Sequence, residues 1–144
     1  MNGHLISILL AFSSGLLGAF QGSINAQIGK AAGQYAMIIG VSLIQAIVAS
    51  VILMKRGWSA FIFDSFPWMI VAGILGVVMM FSVSYSISSI GTLSVYVLVI
   101  SGQIIASALI DHYGLFGTTH PITPQKVGSI FVIIMGVFWL VKSS

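Results

Sequence analysis

Residues 91–117, GTLSVYVLVISGQIIASALIDHYGLFG, are apolar enough in the middle to lie in lipid and yet carry a regular series of polar side chains. These side chains recur at steps of seven, four and four, which places them near one face of a helix: Tyr96, Gln103, Ser107 and Asp111. An amide or carboxylate that faces hydrocarbon costs several kcal/mol. This face is therefore expected to look into a protein interior or a watery cavity.

The composition of the whole chain is that of an integral membrane protein. Of its 144 residues 58% are hydrophobic and 5% charged, with a mean hydropathy of +1.15, so the charged side chains are too few to cover a soluble domain. The net charge of +3 comes from five scattered basic residues and two aspartates, which form no patch for nucleic acid. The chain has no cysteine, which excludes disulfides and sulfur-ligated metals.

Five segments have the roughly 20 mostly apolar residues that a spanning helix needs: residues 5–28, 35–54, 67–89, 92–111 and 124–141. The connections between them are too short to hold a soluble domain. The predicted fold is a single all-α, five-span membrane domain over residues 1–144. An odd number of spans places the two termini on opposite sides of the membrane.

The first span carries two amides one helical turn apart, Gln21 and Asn25. They are candidates for substrate binding, and the alternative is that they form interhelical hydrogen bonds worth ~1 kcal/mol each. A neighbouring strip of small residues that includes Gly15 and Gly22 predicts close approach of another helix or of a second subunit.

The third span is rich in hydroxyls in its second half. Most of its serines are expected to bond their own helix backbone. Tyr85 is a further candidate for substrate binding, because its hydroxyl needs a partner if it is buried.

The fifth span begins after Thr123-Pro124, a hydroxyl cap followed by proline at the first helical position. Gly128 and Gly136 lie on a smooth face of this helix. This face is predicted to pack against another helix, which a second subunit could supply, or to face lipid.

Catalysis and metal binding have little support in the sequence. Asp111 and His112 are adjacent and point about 100° apart on a helix, so they cannot face one substrate as a dyad unless the helix ends between them. The three histidines, His4, His112 and His120, lack the spacing of metal ligands. We therefore predict no enzyme activity, no metal and no cofactor. Asp111 and His112 are candidates for proton binding or gating, with a structural role equally open for each.

The basic residues favour neither orientation of the chain strongly. With the N-terminus on one side, Lys55, Arg56 and Lys126 lie near that side and Lys30 and Lys142 near the other, a difference of three minus two, or one. Because orientation follows the asymmetry of Lys and Arg, we predict that the chain inserts both ways. Two oppositely inserted copies would form an antiparallel homodimer with the inverted-repeat plan of transporters.

Motifs along the chain resemble the YdcZ-type family of small bacterial inner-membrane proteins, which is grouped with the drug/metabolite transporter superfamily. The motifs are Gly102-Gln103, Ala106-Ser107, the run from Asp111 to Gly117, Pro121 and Pro124, with Gln21, Asn25 and Gly29-Lys30 in the first span. The resemblance implies a multi-pass protein of the bacterial inner membrane that forms half of a ten-helix transporter.

Small multidrug exporters of the same superfamily resemble this chain in size and in antiparallel assembly. They carry an acidic residue in the middle of their first helix, where this chain has Gln21 and Asn25 and has no glutamate anywhere. Neither amide can hold a proton or pair with a cation. The departure disfavours proton-coupled export of organic cations.

The leading hypothesis is a secondary transporter half that moves a small polar solute across the lipid bilayer by alternating access. The polar side chains of two copies would converge at the midplane: Gln21, Asn25, Tyr85, Tyr96, Gln103 and Ser107. An antiparallel dimeric ion channel and an accessory subunit without transport of its own are the alternatives.

A reporter fused after Ser144 tests the orientation. We expect it on both sides of the membrane in comparable amounts, because the Lys and Arg difference between the two sides is only one residue. Accessibility of the reporter in intact and in permeabilised cells measures this. A reporter on one side only would point to a fixed orientation and a separate partner.

Overall fold

The structure, a computed structural model, describes residues 2–56, 65–115, 117, 119 and 121–143, and in these residues it is all-α. It has five helices: α1 (Asn2–Ala32), α2 (Gln34–Arg56), α3 (Phe66–Ile90), α4 (Thr92–Tyr113) and α5 (Pro124–Lys142). Each is long and apolar enough to cross a membrane, which confirms the five predicted spans. None of the helix ends differs from its predicted position by more than four residues.

The helices form two compact units, residues 1–89 and residues 90–144. In the first unit α1 packs against α2, and in the second α4 packs against α5. Helices that follow each other through a short connection are neighbours in both units. Because the units divide at residues 89 and 90, the polar residues of α1 and α3 belong to the first unit and those of α4 and α5 to the second.

The turn between α1 and α2 is a single residue, Gly33. The predicted spans 5–28 and 35–54 left a connection of residues 29–34. This predicted connection is too long, because α1 continues to Ala32. Gly33 has φ +92°, a conformation that is open to glycine and strained for other residues. Its N–H donates to the carbonyl of Gly29 at 3.0 Å and its carbonyl accepts from the N–H of Met37 at 3.1 Å, so the turn leaves no backbone group of Gly33 unpaired.

A buried hydrogen bond ties α3 to the start of α2. The hydroxyl of Ser84, which is fully buried, donates to the side-chain oxygen of Gln34 at 2.8 Å. The Gln34 amide lies directly over Gly29, where an added Cβ would come within 2.6 Å of it. The absence of a side chain at Gly29 therefore leaves the space in which the amide reaches Ser84.

Two neighbouring serines of α3, Ser88 and Ser89, bond the backbone of their own helix, as was predicted for most serines of this span. Ser88 donates to the carbonyl of Ser84, and Ser89 donates to the carbonyl of Tyr85, each at 3.2 Å. These bonds satisfy the hydroxyls within their own helix. Ser84 differs from them because its hydroxyl is used between helices.

The ends of α4 and α5 follow glycine and capping chemistry. Gly91 breaks the chain before α4 with φ +82°, and Gly114 ends α4 in a left-handed cap with φ +62°. At the start of α5, the Thr123 hydroxyl accepts from the N–H of Lys126 at 3.3 Å, and Pro124 is the first helical residue. The predicted start of the fifth span is therefore confirmed.

Replacing Ser84 by alanine tests the junction. We expect S84A to lower the free energy of unfolding by about 1 kcal/mol, because the Gln34 oxygen loses its donor across helices. Unfolding of the purified protein by titration with SDS in mixed micelles measures the change. S89A is the matched control, since its hydroxyl bonds only its own helix. Equal effects of the two substitutions would show that the junction adds nothing specific.

Candidate functional site

The two amides predicted on α1 have different surroundings. Asn25 is 6% exposed, whereas Gln21 is exposed. Within the described part of the chain, neither side chain has a hydrogen-bond partner. In the described residues every fully buried polar side-chain atom has a hydrogen-bond partner. Because the Asn25 amide has none, its polar atoms are not fully buried and reach open space. Both amides therefore remain available to a ligand or to another helix.

The small residues of α1 are buried only in the second half of the helix. Gly22, Ala26 and Gly29 share one face and are buried, in the unit where α1 packs against α2. Gly15 is exposed, and no atom lies within 4 Å of the position that its Cβ would take. The first half of α1 thus presents an open face around Gly15.

A groove of about 560 Å³ lies between α1 and α2. Its walls are apolar except for two amides, Gln21 of α1 and Gln45 of α2. Gln21 is the twentieth of 31 residues in α1 and Gln45 the twelfth of 23 in α2, so both lie well inside their helices. The sequence analysis did not predict that these two residues share a groove. The available signal was that both amides lie far from the ends of their helices.

A second cleft in the same unit, of about 490 Å³, lies between the last turns of α1 and of α3. Its polar side chains are Gln27, Lys30 and Ser88. The Gly29-Lys30 pair of the sequence motif is therefore divided between two places. Gly29 belongs to the buried junction with Gln34, and Lys30 lines this cleft.

Tyr85 lies at the end of an aromatic row on the surface of the first unit. Its ring stacks on Phe81 with centroids 6.0 Å apart, and Phe81 contacts Tyr35 at 5.8 Å. Tyr85 is 59% exposed, so its hydroxyl is not forced to find a partner inside the unit. Its predicted role in substrate binding stays a prediction.

The polar face of α4 runs from a half-buried side chain to exposed ones. Tyr96 is half-buried, and both Gln103 and Ser107 are exposed. Ser107 donates its hydroxyl to the carbonyl of Ile104 at 3.1 Å. Gln103 is the twelfth of 22 residues in α4 and has no hydrogen-bond partner within the ranges that the structure describes. An unsatisfied amide therefore lies at the centre of a spanning helix.

A polar cleft of about 470 Å³ opens between α4 and α5. From α4 it takes two residues predicted from the sequence, Ser107 and Asp111. It adds Gln125, Lys126 and Ser129, which the sequence analysis did not assign to a site. The missed signal was the order of the helices, because helices that follow each other in the chain commonly lie side by side, and this brings the end of α4 near the start of α5.

The two charged groups of this cleft form no ion pair with each other. The ammonium of Lys126 donates to the carbonyl of Pro121 at 3.4 Å, a distance near the limit for a hydrogen bond. Asp111 is exposed, and its carboxylate has no hydrogen-bond or ion-pair partner in the described segments. A carboxylate and an ammonium are thus available on opposite walls of one cleft.

His112 is engaged with the connection that follows α4. Its Nδ1 atom accepts the N–H of Ile122 at 3.3 Å, and its ring meets that of Tyr113 edge to face at 5.0 Å. In the neutral ring this bond places the proton on Nε2. No group of three metal-ligating residues occurs in the described chain, and His120 lies outside the described residues.

The glycines predicted as a seam on α5 are open. No atom lies within 4 Å of the Cβ position at Gly128 or at Gly136. The helix itself has no buried residue. Both positions can therefore receive another helix or lipid, and the predicted seam stays a prediction.

The chain matches a known protein family over most of its length. The family model described as "Putative inner membrane exporter, YdcZ" matches residues 6–139, nearly the whole chain. No curated protein and no solved structure matches the chain significantly. The matched range includes all the polar side chains described above.

Proposed function

The chain belongs to the YdcZ inner-membrane exporter family and is a multi-pass protein of the inner membrane, and from this we propose that it is one half of a secondary exporter of small polar solutes. Two copies inserted in opposite orientations form the working unit. Together they provide ten helices related by a two-fold axis in the membrane plane, the plan of inverted-repeat transporters. The solute passes between the copies by alternating access.

The observation that carries this proposal is the position of Gln103. Its amide lies at the middle of α4, is exposed, and has no partner in the described part of its own chain. Left against acyl chains, such a group costs several kcal/mol. A polar chamber shared with a second copy removes this cost and gives the amide a solute to bind.

The open faces of the chain support a second copy as the partner. α5 has no buried residue, and its Gly128 and Gly136 leave space for close approach of a helix. Close approach at small residues drives association of helices in membranes. The near balance of Lys and Arg between the two sides allows the second copy to be inverted.

The chemistry of the proposed chamber selects the class of solute. Amides and hydroxyls donate and accept hydrogen bonds without carrying charge, which suits neutral, zwitterionic or weakly charged metabolites. Two copies each contribute such groups, namely Gln21, Asn25, Tyr85, Tyr96, Gln103 and Ser107. Asp111 and His112 lie at the end of α4, away from the middle of the membrane, where proton binding or gating would act on access to the chamber.

Substitution at Gln103 tests the chamber. We expect Q103L to lower efflux at least roughly tenfold, the equivalent of one lost interaction of about 1.4 kcal/mol, and Q103N to retain part of it, because asparagine keeps the amide. The measurement is efflux of radiolabelled amino acids, sugars and nucleosides from proteoliposomes.

The matched control is I105L, a change at an exposed apolar position of the same helix, which should leave efflux unchanged. Full efflux by Q103L would remove the chamber from the mechanism. Single-channel currents in planar bilayers, at rates beyond any carrier, would favour the ion channel instead.

Cross-linking of single cysteines tests the antiparallel arrangement, and the absence of native cysteine makes the test clean. Residues 96, 103 and 110 share a face of α4 at steps of seven. In antiparallel copies Y96C on one chain lies level with I110C on the other, whereas two Y96C residues are about 21 Å apart along the membrane normal.

We expect a short bismaleimide to join Q103C to itself and Y96C to I110C, and to leave Y96C alone unlinked. Mobility on denaturing gels measures the products. Efficient linking of Y96C to itself would show parallel copies, and the inverted plan would be wrong.

A further inference from the structure

We propose that the cleft between α4 and α5 binds a solute with a zwitterionic head and an apolar tail, through Asp111 on one wall and Lys126 on the other. This proposal rests on the proposed export function and names the class of solute and the surface at which it is first recognised. The cleft, of about 470 Å³, lies in the usual size range of small-molecule sites.

The charges of the cleft favour a ligand that carries both signs. Asp111 has no partner in the described chain, and Lys126 has only a long bond to a backbone carbonyl. Since the two side chains do not neutralise each other, a zwitterion can pair with both at once. A ligand with a single charge would leave the opposite group of the cleft unpaired, which lowers its relative affinity.

The neutral polar groups of the cleft offer a ligand both hydrogen-bond acceptors and a hydrogen-bond donor. Ser107 and Ser129 donate their hydroxyl protons to carbonyls of their own helices, so toward the cleft they act as acceptors. The Gln125 side-chain amide adds a donor, and the positive end of this 19-residue helix favours an anion near Lys126. An ammonium therefore fits beside Asp111 and a carboxylate or phosphate beside Lys126.

The apolar lining gives the ligand a direction. Asp111 is two residues from the end of α4, whereas Ile104 is nine residues from it, or about 10 Å deeper along the axis than Asp111. On α5, Ile130 and Ile133 also line the cleft, beyond Lys126. The charged head accordingly lies toward the membrane surface and the tail toward the middle of the membrane.

Two molecules share this chemistry, a free apolar amino acid such as leucine and the head group of phosphatidylethanolamine with its acyl chains. The probes distinguish the two sources. Leucine is offered to the full chain in nanodiscs of phosphatidylglycerol, which contain no zwitterionic lipid. Phosphatidylethanolamine is then introduced into the discs as a competitor.

The experiment is equilibrium binding of radiolabelled leucine to the purified protein in these discs. We expect leucine to bind, N-acetylleucine and leucinamide to bind at least roughly tenfold more weakly because each lacks one charge, and D111N and K126Q each to weaken leucine binding to a similar extent. K142Q removes a charge from the far end of α5 and should leave binding unchanged.

A second outcome also supports the site, with the lipid as the source of the zwitterionic head group. In that outcome leucine binds weakly, the wild-type protein retains phosphatidylethanolamine, and the D111N and K126Q variants do not retain it. Binding of leucine that is unaffected by D111N and K126Q would overturn the proposal. Equal affinity for leucine, N-acetylleucine and leucinamide would overturn it too, as would the absence of binding of both leucine and phosphatidylethanolamine.

Failure of the export function gives a different result. If Q103L leaves efflux intact while D111N abolishes leucine binding, the midplane chamber is wrong and the cleft stands. If Q103L abolishes efflux while leucine and phosphatidylethanolamine both fail to bind, the chamber stands and the cleft is not a zwitterion site.

Discussion

The organisation of this protein depends on one constraint of the hydrocarbon environment, where every polar group must find a polar partner. Some side chains meet it within their own helix, as Ser88 and Ser89 do through backbone carbonyls. The Ser84 hydroxyl meets it across helices through Gln34. The amides of Gln21 and Gln103 do not meet it within the described chain, and their need for a partner is the physical basis of the export function proposed for the chain.

The satisfied and the unsatisfied groups have different places in the molecule. The hydrogen-bonded junction of Ser84 and Gln34 lies where α1 turns into α2 and where Gly29 makes room for an amide, so it stabilises the first unit. The unpaired amides lie well inside spanning helices and have no hydrogen-bond partner in the described chain. Polar side chains of one kind thus have two roles. Gln34, whose partner is supplied by a neighbouring helix, stabilises the fold, whereas Gln21 and Gln103, which lack such a partner, are assigned to the proposed function.

The charges of α4 and α5 also lie at a different depth in the membrane from the unpaired amide of α4. Gln103 is at the middle of α4, whereas Asp111 is near its end and Lys126 is in the first turn of α5. Charges cost more in the centre of a bilayer than amides do, and near the surface they remain hydrated. An arrangement in which charges select a solute at the surface and amides accommodate it deeper inside is consistent with this gradient.

The sequence alone determined the five spans and the Thr123-Pro124 cap, because each depends on local composition and on backbone preferences of one or two residues. It also placed Ser107 and Asp111 on one face of α4, since a helix has a fixed period. Periodicity does not say which faces of different helices meet.

Only the tertiary structure therefore decided that Ser84 bonds Gln34 and that Lys126 and Gln125 line the same cleft as Asp111. It also decided that α1 runs to Ala32 before a one-residue turn at Gly33. These features depend on packing between segments that are distant in the chain, or on a turn whose length is set by how two helices pack. Local composition cannot encode either of them.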